Sequence, residues 1–455
     1  MASSSASSDE FPWQLGVFDA HCHPTDTMSA IAAIPHMKAA ALTIMASRGE
    51  DQHLVEEVAS KLGRKSQSHD VQDQKQDAAV AAAAARVVPC FGWHPWFAHQ
   101  IYDDLSSPAT TTNTPPSKIA HYRSVLTGST ADDDAFFLAL PDPKPLSTLL
   151  AETRARLLAH PDALVGEIGL DKAFRLPNVW QPHELEARDP SITPGAREGR
   201  SLSVYRVAMS HQRALLKAQL QLAGELRRPV SIHSVQTHGA VFDLLQELWR
   251  GHEMPSRRER KRRRAEAARQ AEEEEEKDEQ KSKESSPLPF PPRICLHSYT
   301  GPLEPLKRWL HQTVPSDVYF SFSVVINFTS YHPFDKVAEV IRALPDDRIL
   351  IESDFHCAGE QMDALLEEVA RTVCKVRGWT LEQGVKQLAE NWRRLLFSEH
   401  SAAWALAVMI LYCSKENMTQ EKELVKFIIP RLCGNFRGGS KMGIIVDDAD
   451  ISMKL

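Results

Sequence analysis

Two histidines one residue apart, His21 and His23, follow the apolar run Leu15-Gly16-Val17-Phe18. Such a run reads as a buried strand. Side chains at i and i+2 share one side of a strand. At a strand's end both imidazoles can turn toward one cation, and neutral imidazole is a common ligand for zinc and other transition ions. Alone, the pair is as readily structural. It gains weight because other apolar runs also end in ligand-type residues. Glu167 lies inside Ala163-Leu164-Val165-Gly166-Glu167-Ile168-Gly169-Leu170-Asp171, and His233 closes Pro229-Val230-Ser231-Ile232. His297 follows Ile294-Cys295-Leu296, Asp354 follows Ile349-Leu350-Ile351-Glu352-Ser353, and His94 sits in Gly92-Trp93-His94-Pro95. Glutamate is depleted in strands and almost never fully buried without a partner, so a salt bridge or a metal accounts for Glu167.

Four histidines and two carboxylates exceed what one ion with an open position takes, since catalytic zinc keeps three protein ligands plus water. Two ions sharing a carboxylate use the set better, and a metal pair can clamp a phosphoryl group on both attack and departure through a bridging hydroxide. On this reading His21 and His23 hold one ion with Asp354, His233 and His297 hold the other, and Glu167 bridges. Asp354 also orients or deprotonates the attacking water. A helix N-cap is the plainer role for Asp354. Lys172 and Arg175, just after the Glu167 run, are candidates for a phosphate contact or for surface salt bridges, and His94 for a substrate contact. Histidine with carboxylate admits Mg, Mn or Zn.

These residues need elements to position them. The apolar runs number eight, near 15–22, 39–47, 87–91, 163–171, 229–234, 293–298, 318–323 and 348–354, each followed by helical or insertion sequence. Helical spacing marks 52–62, 149–158, 204–226, 241–249, 303–310, 334–344, 365–376 and 381–397. Strands apolar throughout, alternating with helices, predict a parallel sheet covered by helices, and eight units predict a (β/α)8 TIM barrel. All eight strand C-termini then meet at one mouth, together with every residue singled out above. Residues 1–14 read as a flexible start and 15–397 as the barrel domain. Insertions are expected near 103–147, with a short helix at 117–126, and near 172–200 and 251–290. The last joins Arg257-Arg258-Glu259-Arg260-Lys261-Arg262-Arg263-Arg264 to an acidic run at 272–276. Such charge blocks are solvated, or serve as nuclear-import or nucleic-acid tethers. Residues 398–455 form a C-terminal extension of unassigned role.

The formal net charge of -7 over 455 residues gives no support to a general nucleic-acid-coating protein. Seven scattered cysteines without a CxxC pair suggest reduced thiols in a cytoplasmic or nuclear protein. No signal peptide is read at the start, and the longest apolar run, near 402–413, is too short to span a bilayer.

In order and placement, the motifs resemble the TatD-type metal-dependent deoxyribonucleases. They are Asp19-x-His21-x-His23, Gly92-Trp93-His94-Pro95, Gly166-Glu167-Ile168-Gly169-Leu170-Asp171, Pro229-Val230-x-Ile232-His233, Leu296-His297-Ser298-Tyr299-Thr300-Gly301, Ile351-Glu352-Ser353-Asp354 and Glu390-Asn391-x-x-Arg394-Leu395-Leu396-Phe397. The resemblance implies an amidohydrolase-like barrel that cleaves phosphodiesters of DNA with two divalent ions, often as a 3′-5′ exonuclease. It implies the ligand roles given above. The family's Pro-rich segment after the terminal Asp is replaced here by Phe355-His356-Cys357-Ala358-Gly359-Glu360. That divergence resembles a fungal branch named for contact with a subunit of the anaphase-promoting complex, which implies a protein partner in a cell-cycle complex. Two other readings stay open: a metal-dependent ester hydrolase with another substrate, and a barrel-based adaptor with little turnover.

Overall fold

A computed structural model describes residues 10–63, 86–105, 116–128, 133–255, 262, 287–329 and 333–397, and the backbone of 443–447 and 450–454. The chain divides into two units, one of 1–70 with 84–399 and one of 71–83 with 400–455. The alanine-rich stretch before residue 86, most of the charged insertion and most of the C-terminal extension lie outside the described residues.

Eight strands of the first unit form one sheet in sequence order, every pair parallel. They are β1 (Phe18–Cys22), β2 (Ala41–Met45), β3 (Val87–Phe91), β4 (Leu164–Asp171), β5 (Val230–Val235), β6 (Arg293–Leu296), β7 (Asp317–Phe322) and β8 (Ile349–Ile351). Helices lie between and after them: α1 (Gln52–Leu62), α2 (Leu146–Ala159), α3 (Met209–Glu225), α4 (His238–Trp249), α5 (Leu303–Trp309), α6 (Phe334–Ala343), α7 (Glu360–Arg377) and α8 (Leu381–Leu396). The result is the nearly closed (β/α)8 barrel expected from the alternation. Its strands read as apolar throughout because both faces are buried. Ala41, Met45, Val88, Cys90, Leu164, Cys295, Tyr319 and Leu350 pack in one cluster, while Leu42, Ile44, Val165, Ile294, Phe320 and Ile349 belong to a separate one that includes helix residues such as Val55, Leu216 and Val369.

The barrel closes between β8 and β1 beside the histidines. Asp354 N–H donates to the His21 carbonyl at 3.0 Å, and His23 N–H donates to the Phe355 carbonyl at 2.8 Å. The fully buried Asp19 carboxylate accepts from Ser353 N–H at 3.0 Å and Ser353 Oγ at 2.5 Å, tying the two strands at the same level.

Helix α8 packs with the inward-facing cluster through Trp392, Leu395 and Leu396. Trp392 stacks on Phe18 with ring centroids 4.3 Å apart, and its Nε1 donates to Thr43 Oγ1 at 3.0 Å. Buried Asn391, from the closing motif, donates through Nδ2 to the Ile349 carbonyl at 2.8 Å and the Asp346 carbonyl at 2.7 Å. The Glu390-Asn391 element is therefore a clamp on the start of β8.

The insertion around 103–147 carries more regular structure than its Ser, Thr and Pro content suggests. Helix Lys118–Val125 falls where the spacing predicts it, and a further helix, Asp134–Ala139, follows. Tyr122 and Phe137 are fully buried in a separate apolar cluster with Phe97, Leu149, Tyr205 and Leu215. The 172–200 segment docks over the loop after β2, where buried Arg48 donates to the Thr193 and Pro194 carbonyls and pairs with Asp26 and Asp51. The helix expected from residue 204 begins at Met209, because Arg206–Val207 pairs instead with Leu126–Thr127.

The described part of the second unit is an antiparallel hairpin, β9 (Gly443–Asp447) and β10 (Asp450–Lys454).

Replacing Asn391 by Ala leaves the Ile349 carbonyl buried without its donor, a loss of about 2–3 kcal/mol. Urea unfolding of the variant beside wild type measures it; an unchanged midpoint would show that Asn391 does not clamp β8.

Candidate metal centre

Glu167 sits in an irregularity of β4. Between the pairs Val165–Val230 and Ile168–Ile232, two residues of β4, Gly166 and Glu167, stand against one of β5, Ser231. A bulge of this kind bends the strand and re-aims a side chain. Glycine follows closely, and a Cβ on Gly169 would lie 2.0 Å from the His233 carbonyl oxygen, so only glycine permits this approach of β4 to β5.

The two Glu167 oxygens face different sets of imidazoles. Oε2 lies 3.4 Å from His21 Nε2 and 3.3 Å from His23 Nε2, and Asp354 Oδ1 is 3.6 Å from His23 Nε2. Oε1 lies 3.0 Å from His233 Nδ1, 2.8 Å from His297 Nε2 and 3.1 Å from His94 Nε2. His21 Nε2 and His23 Nε2 are 3.1 Å apart, and His233 Nδ1 and His297 Nε2 are 3.3 Å apart. Ligand atoms held about 2.0–2.2 Å from one ion lie about 3.0–3.6 Å from each other. The donor atoms on each side of the Glu167 carboxylate thus have the spacing of ligands around a cation, and His21, His23 and Asp354 form one group that could hold one.

Each inner imidazole has a polar group behind it. His21 Nδ1 is 2.9 Å from Ser231 Oγ and His233 Nε2 is 3.0 Å from Asp171 Oδ2, while His297 Nδ1 makes no hydrogen bond among the described residues and faces Glu352 Oε1 at 3.5 Å. The two hydrogen-bonded partners fix the tautomer and leave the other nitrogen facing the centre. Ser231, Asp171 and Glu352 are roles that sequence reasoning missed. Glu352 and Asp171 stand inside the quoted motifs, so an acid beside a ligand histidine was the available signal. Ser231 carried none.

His94 differs from the rest. Its Nδ1 accepts the Trp96 N–H at 3.1 Å, so the neutral ring carries its proton on Nε2 and donates to Glu167 Oε1. Burial holds His94 down to about 4, which keeps it neutral. With both nitrogens engaged and the ring 3% exposed, His94 meets the central carboxylate and not a substrate. Lys172 is exposed and Arg175 half-buried on the loop after β4. Among the described residues no hydrogen bond or ion pair joins either side chain to the histidines. Asp354 is not a helix cap, since α7 begins after Gly359. Its backbone, like that of Ser298, is left-handed, with φ of 49° and 40°. Held strain of this kind gathers at functional sites.

Two buried glutamines of α3, seven residues apart on one helical face, hold the strand ends. Gln219 brackets Trp93, accepting its N–H at 2.8 Å and donating to its carbonyl at 3.2 Å. Gln212 does the same for Asp171, at 2.8 Å and 2.9 Å.

Without an ion, protons take the cations' place. Burial opposes charge on Glu167, but His94, His297 and His21 outweigh it and hold the carboxyl well below its usual range. Burial likewise works against His23, yet the Glu167 and Asp354 carboxylates raise it to about 9. His233 is raised by Asp171 and Glu167, and His297 by Glu167 and Glu352, both against burial. Burial pushes His21 down to about 3, assisted by His297. Burial also lifts Asp354 to about 6, against the pull of His297 and His23.

A barrel of eight parallel strands with a buried histidine–carboxylate cluster at its mouth has the donor set that metal-dependent hydrolases use. The chain belongs to the TatD-related DNase family, whose model matches residues 18–397. It is 33% identical over 380 residues to the Cut9-interacting protein scn1 of Schizosaccharomyces pombe, covering 84% of this chain and 98% of that one. It is 28% identical over 269 residues to an uncharacterized deoxyribonuclease of Saccharomyces cerevisiae, covering 58% of this chain and 65% of that one. Among solved structures, the TatD homologue YjjV of Escherichia coli aligns over 84% of this chain and 97% of its own, with 16% identity and a TM-score of 0.44. An uncharacterized amidohydrolase of Saccharomyces cerevisiae aligns over 84% and 99%, with 12% identity and a TM-score of 0.47. Among the described residues no helix is long and apolar enough to cross a membrane.

Metal binding must displace the protons on His23 and His297. Affinity therefore rises with pH toward about 9, the value of His23, and falls as pH drops below it. Titration calorimetry with Mn²⁺ in buffers of different ionisation enthalpy should show proton release at pH 7; none would contradict the charged imidazoles. Asp171→Asn loosens His233 and should weaken Mn²⁺ binding about 10- to 100-fold, read in the same titration.

Proposed function

We propose that this chain is a metal-dependent nuclease that hydrolyses phosphodiester bonds of DNA, trimming single strands from the 3′ end, with two divalent ions (Mg, Mn or Zn). The observation that carries the reading is the division of Glu167, one oxygen toward His21 and His23 and the other toward His233 and His297. When bound, two cations there supply Lewis acidity to a phosphoryl group and make water a better nucleophile.

The chain's own residues do the rest. His21, His23 and Asp354 would hold one ion, His233 and His297 the other, and Glu167 would serve both. His94 donates to Glu167 and keeps the carboxylate aimed. Asp354, at about 6 before any ion binds, is the group that takes a proton from the attacking water. Its carboxylate is 13% exposed and meets the mouth beside the 18% exposed His23, while His21, His233 and His297 lie deeper. Lys172 and Arg175 remain the candidates for the phosphate backbone.

A second reading rests on one observation. The relative covering 98% of its own length in the match is described as Cut9-interacting, which supports a protein partner in a cell-cycle complex for this chain as well. Barrel and adaptor roles are compatible, and loss of the cellular role in Asp354→Asn would show that turnover is part of it. The third reading, an ester hydrolase, is separated by comparing rates on a DNA oligomer and on simple carboxylic esters.

The deciding assay is Mn²⁺- or Mg²⁺-dependent cleavage of 5′- and 3′-labelled single-stranded oligomers. Wild type should trim from the 3′ end, and Asp354→Asn should lose at least about 100-fold in kcat. Intact DNA in the presence of confirmed bound metal would remove the nuclease reading.

A further inference from the structure

Trp96 is an aromatic side chain that the chemistry above leaves unused. It follows His94 in the Gly92-Trp93-His94-Pro95-Trp96 segment, on the short 3-10 helix Pro95–Gln100 after β3. One face is covered by Phe174 from the loop after β4, with centroids 4.7 Å apart and planes within 10°. The residue nevertheless remains 38% exposed, a large value for a tryptophan in so packed a region. Its edge-on neighbours are the site's own imidazoles, His94 at 4.8 Å and His233 at 5.9 Å between centroids.

The indole is held rigidly. Nε1 donates to Asp171 Oδ2 at 2.6 Å, and the same oxygen holds His233 Nε2 at 3.0 Å. Asp171 is itself fixed, its Oδ1 accepting from Ala173 N–H and Phe174 N–H at 2.7 and 2.8 Å. Trp96 and Phe174 are therefore locked to one carboxylate, and that carboxylate is locked to a residue of the metal centre. A pre-stacked, immobile aromatic plane beside a phosphoryl-binding centre costs little entropy to use.

Resting on the nuclease reading, we propose that the uncovered face of Trp96 stacks the nucleobase of the nucleotide being removed, making Trp96 a specificity-determining residue for base-bearing ends. Every base presents a π-face, so the platform reads the presence of a base without reading its identity. The indole is one ring away from the central carboxylate, 4.8 Å from the His94 ring whose Nε2 is 3.1 Å from Glu167 Oε1, so a base stacked there keeps its phosphate beside the centre. Phe174 is the layer beneath, and it stops the indole from turning away when a base arrives. The preference falls on KM, because the stacking contact is present in the bound substrate and need not change during hydrolysis.

The test uses the full chain with Mn²⁺ and two single-stranded oligomers, identical except that one ends in an abasic 3′ nucleotide. Bis(p-nitrophenyl) phosphate serves as a diester without a nucleobase. Wild type should favour the base-bearing end by about 10-fold in KM. Trp96→Phe keeps an aromatic plane and should keep most of that ratio, while Trp96→Leu should bring it close to one. The ratio is read within each variant, so a general loss of activity through the Asp171 contact cancels. An equal fall on both oligomers in Trp96→Phe and Trp96→Leu, with the ratio preserved, would overturn the proposal and leave Trp96 a positioning residue for Asp171. Hydrolysis of bis(p-nitrophenyl) phosphate with no end preference in wild type would overturn the stacking alone. Failure on all three substrates would remove the phosphodiesterase reading, and the proposal with it.

Discussion

Burial of the Glu167 carboxylate is the constraint on which the rest depends. A charge 3% exposed in a barrel is tolerable only where other groups offset its lost hydration. Five histidines from four strand ends do so here, and in the ion-free state the charge is matched by protons shared among them. Divalent cations match it better, since one carboxylate oxygen faces each half of the imidazole set. The same electrostatics that make the site expensive to leave empty make it selective for cations.

Positioning that carboxylate sets requirements on its surroundings. The irregular pairing of β4 with β5 turns Glu167 inward, and Gly169 lets β4 approach the His233 backbone. His94 spends its one proton on Glu167, which separates it from the metal-facing histidines although it lies equally close. The β8–β1 seam then completes the centre. The hydrogen bonds that close the barrel come from Asp354, His23 and their neighbours, so closure of the fold and assembly of the site are the same event. Asp19 reinforces this from behind through Ser353.

The insertions around 103–147 and 172–207 extend the site outward. Their shared apolar cluster, with Phe97, Tyr122, Phe137 and Tyr205, lies against the segment that carries His94 and Trp96. Arg48 ties the second insertion to the loop after β2, where a buried guanidinium is paired by Asp26 and Asp51. Phe174, from the second insertion, stacks on Trp96 and so brings that insertion beside the histidine cluster.

The local sequence determined the eight strands, most helices and the strand-end placement of His21, His23, Glu167, His233, His297 and Asp354. Hydrophobic periodicity is a local property, and a parallel barrel converts it directly into topology, since every strand must be apolar on both faces and every C-terminus must share one mouth. Tertiary structure alone decided the side-chain pairings. Nothing local separates His94 from His297, yet burial keeps one neutral while the Glu167 and Glu352 carboxylates raise the other; Trp96 N–H, by donating to His94 Nδ1, leaves that ring only Nε2–H for the central carboxylate. Gln212 and Gln219 read as ordinary helix residues until α3 packs against the ends of β3 and β4. Asp171 and Glu352 became supports for imidazoles only when strands distant in sequence were brought side by side. The ordered insertion was illegible for a related reason: its core is shared with Phe97 and Leu215, outside the insertion, so its own composition understates the apolar surface it buries.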